Sequence, residues 1–287
     1  MIKTRITELL GIRYPIMQGG MQFLSTVKLA AAVSSAGAIG TINATNFSSP
    51  EAFRSALKEL RALTDAPFCV NINLLPDANL GKNVAKYVEI CAEEGARAIE
   101  TAGSRPTRLV PLIHSFGMVH IHKVPGCRYA LSAQADGVDA VSVVGLECGG
   151  HPGADSIGTI VLAELAARSL DIPVIAGGGI ADGRGAVAAL ALGAEGVVMG
   201  TRFIASEEAN IGTDKKEWIT HAGEHDTVLV KQGEKMVMRA AKIEGTLFPA
   251  GVCSCLIKSI KPAAQIVADI VSEMEDTISK LQTYRDM

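Results

Sequence analysis

The sequence predicts an α/β fold, a TIM (β/α)8 barrel with a short C-terminal appendage, and three observations carry the prediction. Short apolar runs alternate with amphipathic helical stretches from the start to about residue 205. The alternation amounts to eight strand–helix units in about 200 residues, the number a closed parallel barrel needs. Several helix–strand joints carry a glycine, as in Ala36-Gly37, Gly95-Ala96, Gly137-Val138 and Gly193-Ala194. A glycine there ends a helix in the left-handed conformation just before the next strand. A doubly wound open sheet is the alternative, and it rarely needs eight such regular units.

Ile16-Met17 opens the series, followed by a small-residue helix from Ser25 to Ser35. Ala38 to Ile42 reads as the second strand and Pro50 to Leu63 as its helix. Phe68 to Ile72 is the third strand, ended by Asn73 and Pro76, and a helix from about Asn83 to Glu94 follows. Ala96 to Thr101, Met118 to His122, Ala140 to Val144, Val174 to Ala176 and Gly196 to Met199 are the remaining strands. Helices over Arg108 to Phe116, Arg128 to Asp136, Ile160 to Ser169 and Asp182 to Leu192 separate them. After Phe203 the alternation breaks. Residues 206 to 224 are polar, Thr227 to Ala241 is mixed, and a helix from about Pro262 to Leu281 closes the chain. The division expected is a barrel over 1–205 and an appendage over 206–287 packed on it as one structural unit.

Composition narrows the function. Hydrophobic residues make up 48% of the 287 residues while aromatics are 4%, which suits small and β-branched side chains packed around buried parallel strands. The net charge is −3 with both signs mixed, so nucleic acid has no electrostatic footprint here. No stretch approaches the roughly 18 apolar residues of a membrane helix, and Lys3, Arg5, Glu8 and Arg13 interrupt the N-terminal region where a signal peptide would need an apolar run. Six cysteines without a CxxC pair read as reduced thiols, so a cytoplasmic location is expected. The oligomeric state stays open, a homodimer included.

Two glycine-rich loops point to phosphate. The seventh strand ends in Ala176-Gly177-Gly178-Gly179-Ile180-Ala181-Asp182 directly before a helix, and the eighth ends in Met199-Gly200-Thr201-Arg202. Glycines there let backbone N–H groups approach an anion at a helix N-terminus, and barrels commonly bind phosphate at these two loops. Taken singly, either loop reads first as a tight turn. Asp182 is the expected N-cap of the following helix.

The sixth strand runs into Gly145-Leu146-Glu147-Cys148-Gly149-Gly150-His151-Pro152-Gly153. Glycines such as Gly150 clear space for a flat ligand, and His151 projects into that space as a candidate general base or hydrogen-bond donor. A histidine that only ties the loop to itself is the plainer alternative. Glu147 is expected to brace the loop and Cys148 to be inert. Gln18, Asn71, Asn73, Glu100, Thr101, His122, Lys123 and Ser142 add polar groups at the strand ends. Lys123 suits the N1–C2=O edge of a flavin, whose reduced anion a positive charge stabilises; a solvated lysine is the alternative on spacing alone.

These motifs resemble the nitronate monooxygenases, formerly called 2-nitropropane dioxygenases, over most of residues 5 to 205. The pieces are Pro15 to Met21, Val70 to Asn73, Glu100 to Gly103, Ile121 to Lys123, Gly145 to Gly153, Gly177 to Ile180 and Met199 to Phe203, with a weaker echo in Pro249-Ala250-Gly251. The resemblance implies FMN bound non-covalently, its phosphate on Gly178, Gly179, Gly200 and Thr201. It implies further that Gln18, Asn71, Lys123 and Gly150 hold the ring and that His151 is catalytic. The implied substrates are an alkyl nitronate or nitroalkane and O2, giving a carbonyl compound and nitrite. Two features depart from the pattern. The segment after Phe203 is short, and Val252 stands where a glutamine is expected. The same pattern is shared by NAD(P)H-dependent FMN reductases of enoyl-acyl-carrier protein or quinones. A flavin-free phosphosugar isomerase or lyase barrel is the more distant alternative.

Overall fold

A computed structural model describes residues 2–74, 83–232, 236–243 and 245–284. Pro76 lies outside them. Eight parallel strands form one sheet: β1 (Ile16–Gln18), β2 (Gly40–Asn43), β3 (Phe68–Asn73), β4 (Ala98–Ala102), β5 (Val119–Val124), β6 (Ala140–Val144), β7 (Val174–Gly177) and β8 (Gly196–Met199). The sheet order runs from β2 through β3 to β8 and on to β1. Closure comes from a parallel bridge between Met17 and Ile39. There Gln18 donates its N–H to the Ile39 carbonyl at 2.9 Å and Ile39 donates to Ile16 at 3.0 Å. The expected barrel is the observed one.

Helices alternate with the strands: α2 (Val27–Ser35), α3 (Pro50–Leu63), α4 (Val84–Glu93), α5 (Val110–Ser115), α6 (Cys127–Asp136), α7 (Thr159–Ser169) and α8 (Gly183–Ala191). A helix the sequence reading did not single out, α1 (Arg5–Leu10), closes the bottom. Thr4 caps it, and Ile6 and Leu10 pack against Met17, Val119 and Ile175 inside the barrel. The short α9 (Thr201–Ile204) and then α10 (Thr213–His221) follow β8.

The strand registers order the barrel interior into layers drawn from alternate strands. Lowest are Ile39, Ala98, Ala140 and Gly196, then Met17, Cys69, Ile121 and Ile175. Both layers are apolar and buried. The third is Thr41, Glu100, Ser142 and Val198, in which three of four positions turn polar. Above it, at the mouth, stand Gly19, Asn71, Lys123 and Gly177. Polarity therefore rises along the axis toward the C-terminal ends of the strands, where barrel enzymes place their chemistry.

Outside the barrel, His120 and His122 share the Thr101 hydroxyl at 2.8 Å each. Burial pushes His120 down to about 3 and His122 down to about 4, so both stay neutral. His122 was one of the polar groups expected at the catalytic face; alternation of side chains along β5 sends it to the helix side, whereas Ile121 and Lys123 face inward.

Beyond residue 205 the chain is more structured than its mixed composition suggests. β9 (Thr227–Gln232), β10 (Met236–Ile243) and β11 (Thr246–Phe248) form an antiparallel sheet. α11 (Ala263–Thr283) then buries Ala263, Ile266, Val267, Ile270 and Met274 with Leu29 of α2 and Val187 of α8, completing the helical layer.

Candidate active site

The loop between β6 and α7 is fixed from three sides. Glu147 accepts hydrogen bonds from the Thr159 N–H at 2.9 Å and from its hydroxyl at 2.9 Å, so its carboxylate sits on the first turn of α7 and braces the loop as expected. Glu147 also takes the Val252 N–H on its carbonyl at 3.0 Å. Gly150 forms an antiparallel bridge with Arg239 of β10, its N–H donating at 3.0 Å and its carbonyl accepting at 2.7 Å. The Arg239 guanidinium donates in addition to the Leu146 carbonyl at 2.9 Å. A single bridge thus ties the loop to the small sheet, and His151 follows the pinned residue directly.

His151 is exposed at the face. Gly150 adopts φ +83°, and a Cβ on it would meet nothing within 4 Å, so the loop presents open space beside the histidine. A Cβ on Gly153 would lie 2.8 Å from Pro125, two residues past Lys123, so the loop leans toward the end of β5. Cys148 is pushed up to about 12, chiefly by burial, and has no thiolate character at neutral pH.

Asn71, Glu100 and Lys123 meet at the mouth. Asn71 donates Nδ2 to Glu100 Oε2 at 2.6 Å, and Lys123 donates Nζ to the same oxygen at 2.9 Å. The Glu100 side chain is fully buried, whereas Lys123 is 20% exposed. Gly20 passes over Asn71, where a Cβ would sit 2.4 Å from the asparagine side chain.

Gln18 is placed differently from the others. Fully buried, it accepts the Thr41 N–H at 2.9 Å and donates to Ser25 Oγ at 3.0 Å and to the Gly19 carbonyl. Its amide is spent on the barrel seam and the first loop, so it shapes the mouth through Gly19 and is not gathered with Asn71 and Lys123.

Gly178 and Gly179 take φ +96° and +76° between β7 and α8, and Asp182 caps α8 by accepting the Gly185 N–H at 2.8 Å. A Cβ on Gly178 would lie 2.9 Å from Thr159 Oγ1, so packing also demands glycine there. Gly200 is more open, its nearest neighbour being Met21 Sδ at 3.5 Å. Thr201 Oγ1 accepts the Gly251 N–H at 3.0 Å, which ties the loop after β8 to the tail. Sequence reasoning missed Arg239, because a cross-strand bridge between distant segments leaves no local pattern. The Pro249-Ala250-Gly251 echo was the one trace of the tail's contact with these loops.

The nitronate monooxygenase family profile matches residues 3–247. A probable nitronate monooxygenase from Staphylococcus saprophyticus is 34% identical, the match covering 79% of this chain and 75% of that protein. A (3aS,4S,5R,7aS)-5-hydroxy-7a-methyl-1-oxo-octahydro-1H-indene-4-carboxyl-CoA dehydrogenase from Rhodococcus jostii is 33% identical over 83% of this chain, and the match spans 65% of that relative's length. Among solved structures, FabK from Thermotoga maritima superposes with a TM-score of 0.90 at 37% identity, covering 99% of this chain and 100% of that one. A nitroalkane oxidase from Streptomyces ansochromogenes, at 21% identity and a TM-score of 0.85, shares the fold.

Proposed function

The chain belongs to the nitronate monooxygenase family, an oxidoreductase family, and from that premise we propose that it is an FMN-dependent enzyme oxidising alkyl nitronates with O2 to a carbonyl compound and nitrite. The observation that carries this reading is His151 beside Gly150, whose N–H and carbonyl are both held by Arg239. A base on a backbone fixed at the preceding residue can hold its imidazole where a substrate proton must go.

The residues present fit FMN. Gly200 leaves room for close approach of an anion, and Gly150 leaves an open surface for a flat ring. Gly178, Gly179, Gly200 and Thr201 would hold the phosphate. Asn71 and Lys123 would meet the polar edge of the ring, with Gln18 supporting the mouth through Gly19 and Gly150 lying against the ring. FMN, when bound, supplies the electron acceptor. The protein's own part is to orient and to move a proton: an imidazole nitrogen of His151 removes the Cα proton of a neutral nitroalkane, and needs only to orient a substrate that arrives as nitronate. Lys123 supplies a hydrogen-bond-donating ammonium at the mouth, paired with Glu100, and Arg239 keeps the histidine loop in register.

A second reading is redox chemistry on an acyl thioester, the class of compound that the carboxyl-CoA dehydrogenase relatives carry in their name, taken here in the reductive direction that the sequence pattern leaves open. It is reduction at the expense of NAD(P)H, with an acyl thioester or quinone as acceptor. Nitroalkanes and acyl thioesters share a proton on the carbon beside a group that spreads charge onto oxygen, so His151 would serve either. Anaerobic spectra separate the two. A rapid change of the bound flavin on adding propionate 3-nitronate, with none on adding NADH, is the outcome expected. Bleaching by NADH alone would replace nitronate oxidation with the reductase reading.

A further inference from the structure

Glu100 is placed to govern the site from beneath. It belongs to the third interior layer with Thr41 and Ser142, directly under the mouth layer of Asn71 and Lys123. One oxygen, Oε2, takes both the Asn71 amide at 2.6 Å and the Lys123 ammonium at 2.9 Å, so a single carboxylate on β4 links the two neighbouring strands, β3 and β5. Its other oxygen, Oε1, is buried without a hydrogen-bond partner among the described residues, as are Thr41 Oγ1 and Ser142 Oγ in the same layer. Leaving a carboxylate oxygen buried and unpaired costs folding free energy. An apolar residue of similar volume would complete the two apolar layers below at less cost. The position therefore makes sense through what Oε2 holds.

We propose that Glu100 is a positioning residue for the cofactor site, fixing the Asn71 amide and the Lys123 ammonium and setting the net charge that Lys123 presents. The proposal rests on the FMN reading given above. With Glu100 ionised, Lys123 offers the ring edge one end of an ion pair rather than an isolated cation. The pair is close and largely out of water, so the two charges offset each other strongly at that edge. Loss of the negative charge with retention of shape would leave the cation uncompensated, and reduced, anionic flavin would gain stability.

Glu100→Gln tests this, because glutamine keeps an oxygen for Asn71 and Lys123 while removing the charge. The variant, expressed as the full chain, is expected to retain bound flavin with a midpoint potential above that of the wild type. Glu100→Asp, which retains the charge, is expected to stay closer to the wild-type potential than Glu100→Gln does. Equal potentials in wild type and Glu100→Gln would overturn the proposal. Should Glu100→Gln not fold, a crystal structure of Glu100→Asp decides: an Asn71 amide and Lys123 ammonium that follow the shortened carboxylate support positioning, and an unmoved pair contradicts it. A wild-type protein that binds no flavin would instead fail the cofactor reading, a separate result read from the absorbance before any potential is measured.

Discussion

His151→Asn is expected to keep flavin bound and to lower turnover of neutral nitroalkane by about 10²–10⁴-fold, the range that a positioned general base contributes. Asparagine retains hydrogen-bonding capacity without taking up a proton in the working pH range. The Gly150 bridge to Arg239 does not involve the side chain, so the loop should hold its shape. The same variant should lose far less activity with preformed nitronate, whose Cα proton is already gone. Steady-state rates with nitroethane and with ethyl nitronate, beside the flavin absorbance, check all three statements. Turnover of nitroethane at the wild-type rate would remove His151 from its proposed role.

The second large effect concerns the seam that closes the barrel. Gly40 opens β2, and a Cβ on it would lie 1.9 Å from the carbonyl oxygen of Ala30 in α2. That neighbour is helix backbone, which cannot turn aside as a side chain could. Gly40→Ala should therefore push α2 off the sheet and destabilise the protein by about 3 kcal/mol or more. For a chain of this size that is a fall in Tm of about 5 °C or more, readable by thermal unfolding followed by circular dichroism. Gln18 receives the Thr41 N–H at the same seam, so the damage should reach the first loop and weaken flavin retention as well. An unchanged Tm would show that α2 does not pack as described.

Most of the barrel was legible because its signals are local. Each strand is a short buried run, each helix has its own period, and a glycine such as Gly137 at φ +93° ends α6 where expected. Asp182 as a cap and Glu147 as a brace were legible for the same reason, since an N-cap acts within a few residues and a carboxylate after a strand finds the next helix N-terminus. Arg239, Gly251 and the β9–β11 sheet were not. Their roles arise where segments 50 to 93 residues apart in sequence meet, as in Gly251 on Thr201 and Arg239 on Leu146. His122 misled for a related reason: the run Val119 to Val124 is buried on both faces, so composition alone does not say which residues look inward. Gln18 lies at a strand end as read, but its amide is used up in closing the ring, a demand visible only once β1 meets β2.

The most direct test of the FMN reading is the identity of the flavin in the purified protein. A yellow protein that releases FMN on denaturation, close to one per chain by absorbance and mass, is the result expected. A colourless protein that added FMN does not reconstitute, or one that releases FAD, would contradict it.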